Sequence, residues 1–571
     1  MLHLGHGAAA NTDTYFGRFP ASYFQRWTTA TSVEMRLTFD AEGPALLLLR
    51  GSDSGGANRI IASSEVTGTG TTTMSVQLDS FVDGGALWME FHAVGGRLTI
   101  SDMAWTVAAP PAIRSAAIAI CTFNRADECE ATLSTIASDR SLCEMIEAIY
   151  VTDQGRGSTG TESPFQSVAT TLGEKLIYLR QPNLGGAGGF SRGLYEALKS
   201  NDSINVILMD DDIMCEPESL LRLNAFANLT RDPMIVGSQM LFLRNPRRLY
   251  RSAESTDLPR LSGAVHVPNG LFDVDMVKRR QHKRVDAQYN AWWSCLIPAE
   301  VVKTIGLPLP LFLTWDDIEY GLRAAAANYF TVTLPNAGVW HAEFHWKDRD
   351  NFAGYFGVRN ALITHALHRP FNSRATTRWL TREIAECLAS MKYGRAYLMV
   401  RGIEDFLAGP STLDDGGAQV SLKIREEWSA FSETKAYPAA DVSQLTGTAP
   451  PIRPMPRQVN LYRLKTMLVV RLFQQWFGLT TPGPVAIPAV DNQWWHVSRF
   501  DYAIVTDSSQ GGVRIRRRDA RKLRELSWRA VKALRRFRTE ATAVQQRYIS
   551  ALPTLAGLDN WERLFADAPQ E

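Results

Sequence analysis

The stretch Asn205 to Pro217, NVILMDDDIMCEP, ends an apolar run in three consecutive acids, Asp210, Asp211 and Asp212. Side chains alternate along an extended segment, so Asp210 and Asp212 share one face and Asp211 takes the other. Two carboxylates converging at the end of a buried strand make a poor core. They make a good site for a hard divalent cation, which relieves their repulsion and can hold a diphosphate. Exposed turn acids at the start of the next helix would be the plainer reading of an isolated Asp-x-Asp, but the buried run in front favours metal. In TWDDIEYGLRAA, Trp315, Asp316 and Asp317 open a helical pattern, where the helix dipole favours carboxylates. Capping uses one acid and leaves the other as a candidate general base toward a sugar hydroxyl. His341 and His345 follow an apolar segment in GVWHAEFH, and a two-carboxylate cation site has room for His341 as a further ligand.

Two further groups are less specific. Gly185, Gly186, Gly188 and Gly189 in QPNLGGAGGFSRGLYEAL permit close backbone approach, and the helix that follows can turn its N-terminus to a phosphate or sugar. They fit neither the dinucleotide fingerprint nor the P-loop, and a flexible turn explains them equally well. Trp292 and Trp293 in YNAWWSCLIP are core residues by default, although flat aromatic faces also stack on sugar rings.

These residues need a scaffold, and the chain is long enough for several. At 571 residues, 45% hydrophobic and 21% charged, it reads as an ordinary globular protein of two to four domains. Up to about residue 110, short alternating runs such as SVEMRLTFD and ALWMEFHAV, separated by Gly, Ser, Asp and Thr, predict a β-sandwich, jelly-roll-like domain over 1–110. After the linker VAAPPAIRS, continuous apolar runs such as AAIAICTF alternate with helical patterns, predicting a parallel α/β domain over 111–370. In such sheets ligands gather beyond the carboxyl ends of the strands, where Asp210 and Asp212 fall. Residues 371–571 read as mainly helical.

Six scattered cysteines without a C-x-x-C pair predict reduced thiols and a cytosolic setting. The N-terminus lacks the pattern of a secretory signal, and no apolar run is long enough to span a bilayer. The interrupted run LYRLKTMLVVRLFQQWFGL is expected to be an amphipathic or buried helix. Between Arg514 and Arg538 twelve Lys or Arg face two acids, Asp519 and Glu525, with Leu523, Leu526, Ala530, Leu534 and Phe537 forming an apolar stripe. A helix docked on the protein's own core is one reading. The charge density favours an anionic membrane surface, and nothing in the chain resembles a nucleic-acid base-reading module.

The order of strand, glycine loop, Asp-x-Asp, aromatic pair, Trp-Asp-Asp and His resembles that of metal-dependent GT-A (Rossmann-like) nucleotide-sugar glycosyltransferases. FPASYFQRWTT, TFNR, TDQGRG, QPNLGGAGGFSRGLYEALK, MDDDI, YNAWWSCLIP, LPLPLFLTWDDIEYGLRAA, TVTLPNAGVWH, YFGVRNALI, EDFLAGP and ALPTLAGLDNWE narrow it. They are similar, in family order along nearly the whole chain, to the polymerising galactofuranosyltransferases that build cell-wall galactan in mycobacteria and their relatives. The chain departs from that family's pattern at Gly357, where a histidine is usual.

The resemblance implies that Asp210, Asp212 and His341 bind Mn²⁺ or Mg²⁺ against the diphosphate of UDP-galactofuranose, and that Asp317 is the general base. It places Arg125, Gln154, Asn183 and Asp210 at the donor, and Trp292, Trp293, Trp315, Asp316 and Glu254 at the acceptor. It further implies an inverting enzyme that extends a polyprenyl-diphosphate-linked galactan with alternating β-(1→5) and β-(1→6) links. The family assembles as homo-oligomers, as tetramers, with C-terminal regions toward the cytoplasmic face of the plasma membrane. An enzyme adding only the first galactofuranose residues is the nearer alternative, and a carbohydrate-binding scaffold the more distant one. A glycoside hydrolase would use two carboxylates without the metal pair. An Asp-x-Asp phosphatase would carry Thr or Val where Met214 stands.

Overall fold

The computed structural model describes all residues except 156–164, 347, 349, 443, 445–446, 448, 457–462 and 567–571. The end of the TDQGRG motif and part of the proline-rich segment therefore lie outside the described residues.

Near the N-terminus one long strand, Ser32–Ser52, pairs with Asn58–Gln77 along most of its length. Its second edge changes partner midway: residues 34–41 pair with Leu98–Thr106, and residues 45–51 pair with Leu87–Ala93. The irregularity between Ala41 and Ala45 lets a single six-stranded antiparallel sheet bend, and inward residues from both halves of the long strand fill one core. The FPASYFQRW motif closes this unit against the next. Its helix Ala21–Trp27 sends Tyr23 into the central core, where the hydroxyl donates to the Val285 carbonyl at 3.3 Å and accepts from Gln281 Nε2 at 2.7 Å.

The central unit is built on a ten-stranded sheet. Its main path runs Leu176–Arg180, Ile146–Asp153, Ala116–Thr122, Asn205–Asp210, Ser294–Pro298, Ile235–Phe242, Thr331–His341 and Met214–Cys215. The first four are mutually parallel, Ser294–Pro298 is antiparallel to both its neighbours, and Ile235–Phe242 is parallel to Thr331–His341. AAIAICT and NVILMD are continuous apolar runs because helices cover the sheet on both sides.

The glycine-rich helix Gly185–Ser200 needs its small residues to lie close on that sheet. A Cβ at Gly193 would come within 2.3 Å of the Ala119 Cβ, and one at Gly189 within 2.2 Å of Cys121 Sγ. Gly193→Ala therefore forces the helix off the strand, and a stability loss of about 1–3 kcal/mol is expected in denaturant titration. An unchanged midpoint would show that the packing yields more easily than this geometry allows.

The C-terminal region is mainly helical, with a four-stranded sheet that the helical reading of its sequence did not anticipate. Its strands are short: Ala436–Tyr437, Thr481–Ile487, Phe500–Thr506 and Val513–Arg517. Isolated apolar runs of this length do not distinguish strand from helix by periodicity. The stripe Leu523, Leu526, Ala530, Leu534 and Phe537 of helix Ala520–Leu555 is buried in the protein's own core. Arg514 and Arg516 are buried too, paired with Asp348 and Asp350. What this helix turns outward is basic, with Trp528 67% exposed among Arg521, Arg524, Lys532 and Arg535.

Helix Leu464–Phe477, expected to be amphipathic or buried, leaves Val469, Val470, Phe473 and Phe477 exposed. Among the described residues no helix is long and apolar enough to cross a membrane. All six cysteines are free. The motif ALPTLAGLDNWE returns the chain to the central unit, where buried Trp561 donates its Nε1 proton to the Pro308 carbonyl at 2.8 Å.

Candidate functional site

Asp210 is the last residue of its strand and His341 the last of another, so sheet geometry delivers both to one edge. The short strand Met214–Cys215 pairs with Trp340 and Val339, which folds the Asp211–Asp212 turn back toward His341. The Thr132 hydroxyl braces that turn by donating to the carbonyls of Asp211 (3.0 Å) and Ile213 (3.2 Å). One ligand atom each from Asp210, Asp212 and His341 lie within 4.8 Å of one another. His341 Nε2 is 3.5 Å from Asp212 Oδ1 and 3.9 Å from Asp210 Oδ2. Two carboxylates and an imidazole at this spacing form a donor set suited to Mn²⁺ or Mg²⁺.

Asp211 is separate from this set. It is buried, and burial pushes its carboxyl up to about 6. Arg125, at the start of helix Ala126–Ala137, reaches Asp212 Oδ2 at 2.5 Å and Asp211 Oδ1 at 3.4 Å, with 45% of its own side chain still exposed.

Asp316 and Asp317 begin helix Asp316–Ala326, as the sequence reading expects. Trp315 ahead of them is buried, in the left-handed region at φ 71°. Neither acid is a conventional cap. Burial drives both carboxyls above the ordinary range, and Asp317 is driven furthest because Asp316 and Glu254, and then Asp210, add their charge. The Asp210 influence ties the base candidate to the metal candidates. The Cys121 thiol, on a half-buried residue, is raised by burial and by the charges of Asp211, Asp210 and Asp316.

Glu254 is buried, held by the Ala291 amide at 3.2 Å, and pushed up to about 7 by burial. Buried Asp316 and Glu254 thus stand near half-buried Asp317, and burial with neighbouring charge tunes such acids upward. Tyr289 also faces Glu254 and Asp317. Its place in YNAWW was legible, but nothing in that motif distinguished it from a core tyrosine.

The helix of Asp316 is firmly anchored. Glu319, fully buried, takes Arg323 Nε at 3.0 Å and NH2 at 2.9 Å, and its Oε1 is 3.2 Å from His368 Nε2. Gly186, in the first turn of the neighbouring helix, lies beside Asp316: a Cβ there would be in ordinary contact at 3.6 Å from Asp316 Oδ2.

The other sequence candidates fall as follows. Gln154 is buried and braces the glycine loop, donating to the Gly185 carbonyl at 2.9 Å and accepting from the Leu184 amide at 2.8 Å. Asn183 Oδ1 accepts from the Gly185 amide at 2.9 Å and the residue is half-buried. Trp292 and Trp293 are both buried. Trp292 packs edge-on against Phe190 and Tyr320, and Trp293 donates to the Ser238 carbonyl at 2.9 Å. His345 is exposed beside Phe242. Around Gly357 there is open space, with no atom within 4 Å of an added Cβ.

Comparison with known families covers the chain almost end to end. The galactofuranosyltransferase 2 N-terminal family matches residues 1–108, the glycosyltransferase like family 2 matches 111–359, and galactofuranosyltransferase-2, domain 3 matches 378–567. Galactofuranosyltransferase GlfT2 of Mycobacterium tuberculosis is 33% identical over 608 residues, spanning 100% of this chain and 92% of that protein. GlfT2 of Mycolicibacterium smegmatis is 32% identical over 598 residues, spanning 100% of this chain and 91% of its own.

Two solved structures are more distant. GalNAc-T7 with UDP, GalNAc and Mn²⁺ is 12% identical with a TM-score of 0.37, covering 61% of this chain and 60% of that one. The mannosyltransferase PcManGT from Pyrobaculum calidifontis, in complex with GDP-Man and Mn²⁺, is 14% identical with a TM-score of 0.28, covering 60% of this chain and 90% of that one. Neither of these two likenesses is close enough to carry an argument. With three successive family domains and two curated relatives matched along its whole length, the chain belongs to the galactofuranosyltransferase GlfT2 family.

Proposed function

We propose that the chain transfers galactofuranose from UDP-galactofuranose to a growing, lipid-linked galactan by direct, inverting displacement. The observation that carries this reading is the cluster of Asp210, Asp212 and His341, with the half-buried carboxyl of Asp317 near enough to feel the charge of Asp210. Asp210, Asp212 and His341 hold the divalent cation, Mn²⁺ or Mg²⁺. When bound, it neutralises charge on the departing diphosphate.

Asp317 accepts the proton of the acceptor hydroxyl as that oxygen forms its bond to the anomeric carbon; the bond from that carbon to UDP breaks and UDP leaves with the electron pair. Because attack comes from the face opposite UDP, the configuration inverts. Arg125 is half-exposed beside the acidic pair and supplies a guanidinium to the donor's phosphates, while Asn183 and the Gln154-braced loop shape the donor side. Glu254, Asp316 and Trp315 border the acceptor, with buried Trp292 and Trp293 supporting that wall from within.

The same site would make alternating β-(1→5) and β-(1→6) links on a polyprenyl-diphosphate-linked acceptor. The outward basic face of helix Ala520–Leu555, with exposed Trp528, suits an anionic membrane surface, and we place the enzyme peripherally at the cytoplasmic face as a homo-oligomer. Incubation with UDP-galactofuranose and a short galactofuranosyl acceptor, with Mn²⁺ or with chelator, tests the reading by mass spectrometry. A ladder of added hexoses that vanishes with chelator is expected. A single addition would replace polymerisation with priming, and a ladder indifferent to chelator would remove the metal from the mechanism.

A further inference from the structure

The motifs YFGVRNALI and EDFLAGP have no part in the transfer as described, yet they supply some of the most completely buried polar groups in the protein. Arg359 and Asn360, on helix Gly354–His368, are both 0% exposed. Asn360 Nδ2 lies 3.0 Å from the Leu311 carbonyl, 2.8 Å from that of Leu313 and 2.9 Å from that of Thr314, donating into all three. Arg359 NH2 donates to the same Leu311 carbonyl at 3.0 Å, and Arg359 Nε donates to Asn360 Oδ1 at 2.9 Å.

A guanidinium has no acceptor, so the Asn360 oxygen must face Arg359 and its NH₂ must face the loop. The orientation of the amide is thereby fixed by its neighbour. Arg359 in turn reaches the Tyr355 hydroxyl at 3.4 Å, which donates to Asp405 Oδ2 at 2.6 Å, and Arg401 pairs with Asp405 at 3.3 Å. The two unassigned motifs are thus joined by one chain of hydrogen bonds, fully buried at Arg359 and Asn360, that ends on residues 311–315.

The backbone gripped there is unusual. Phe312, Thr314 and Trp315 have φ of 71°, 62° and 71°, a left-handed conformation that non-glycine residues avoid. Asp316 and Asp317 follow directly. The Phe312 carbonyl accepts from the Ala187 amide at 3.3 Å, so the same loop also meets the glycine-rich helix. Without the Asn360 donors, the Leu313 and Thr314 carbonyls lose this partner while that of Leu311 keeps Arg359, and the backbone is free to relax toward ordinary dihedrals. The start of helix Asp316–Ala326 would move with it.

We propose that Asn360, oriented by Arg359, is the positioning residue for the general base: it holds loop 311–315 in its left-handed form and so fixes where Asp317 presents its carboxylate. This rests on the reading of Asp317 as the base. Asn360 itself touches no substrate. The groups that face Asp317 are Asp316 on its own helix, Glu254 and Tyr289 from the loops and strands opposite, Asp210 from the sheet edge, and Cys295 beneath. A relaxed loop changes Asp317's exposure to water and its distance from all of them.

The test measures kcat, KM for UDP-galactofuranose and the pH dependence of kcat for Asn360→Ala and Arg359→Lys, with Asp317→Asn alongside. Asn360→Ala is expected to lose about 100-fold in kcat, the cost of misplacing a reacting group by about 1 Å, with KM for the donor within about twofold. Its acid limb should move to lower pH as Asp317 gains water. Arg359→Lys keeps one donor for the Leu311 carbonyl, and an intermediate loss of about tenfold with the same direction of limb shift is expected; it also serves if Asn360→Ala does not fold. A folded Asn360→Ala with kcat within twofold of wild type, or Arg359→Lys with an unmoved limb, would overturn the proposal. Activity surviving in Asp317→Asn would instead overturn the base assignment beneath it.

Discussion

Asp317→Asn is expected to lower kcat by about 10³-fold while making the protein melt at a higher temperature than wild type at pH 8. The two effects have one cause. Asp317 is half-buried with Asp316 and Glu254 as like-charged neighbours, and burial together with those charges raises its carboxyl well above the ordinary range. A carboxyl whose folded pKa exceeds its unfolded one contributes stability that is fully present below the unfolded value. That contribution is lost as pH rises through the folded value. As pH rises through the folded value, ionisation of the side chain therefore costs stability, and an amide of the same shape removes the cost.

The apparent midpoint should rise by about 2–4 °C at pH 8, and the difference should shrink toward pH 5, because falling pH favours the protonated wild-type side chain. Catalysis runs in the opposite direction, because only the ionised form accepts a proton. Wild-type kcat should therefore fall with decreasing pH through a value above that of an exposed carboxylate. Thermal melts at the two pH values, with kcat measured on the same preparations, decide the matter. Retained transfer would dismiss the base, and a midpoint difference equal at both pH values would dismiss the electrostatic cost.

Much of the candidate site can be read from the sequence, for physical reasons that differ from residue to residue. Asp210 and Asp212 were readable because strand alternation is strict and a buried apolar run ahead of two acids has few other uses. His341 was readable only as a third ligand in search of a place, and the pairing of Met214–Cys215 with the end of its strand supplied that place. Glu254 and Tyr289 were not legible as partners of Asp317. Glu254 opens the short strand Glu254–Asp257 and Tyr289 lies in the loop ahead of Ser294–Pro298, and their approach to Asp317 depends on tertiary closure that no local pattern encodes. Gln154 was named for the donor side, yet its amide is committed to the glycine loop, a use that spacing alone does not distinguish from ligand contact. The basic helix was visible as an amphipathic stripe, but the stripe says nothing of what covers it, and in the fold its apolar side belongs to the protein's own core. The C-terminal sheet was missed because its strands are too short to show a period.

The same asymmetry predicts opposite fates for neighbouring acids. Asp212→Ala should weaken Mn²⁺ binding by about 10³-fold and abolish transfer to a similar degree, since a ligand to a Lewis-acid cation is worth several kcal/mol and each 1.4 kcal/mol is tenfold. It also removes the 2.5 Å partner of Arg125. Asp211→Ala removes a buried carboxyl on the other face of the strand end, outside the cluster formed by Asp210, Asp212 and His341. The turn itself should survive, because Thr132 holds it through the main-chain carbonyls of residues 211 and 213 rather than through the Asp211 side chain. Arg125 keeps its closer partner in Asp212. Mn²⁺ affinity in Asp211→Ala should therefore stay within about tenfold of wild type, with the damage confined to stability and the placement of Arg125. Titration of free Mn²⁺ by electron paramagnetic resonance reads both variants directly, without reliance on turnover. Equal loss of binding at 211 and 212 would mean that the three acids act as one charge cluster, and the division of the DDD run into two ligands and one structural carboxyl would have to be given up.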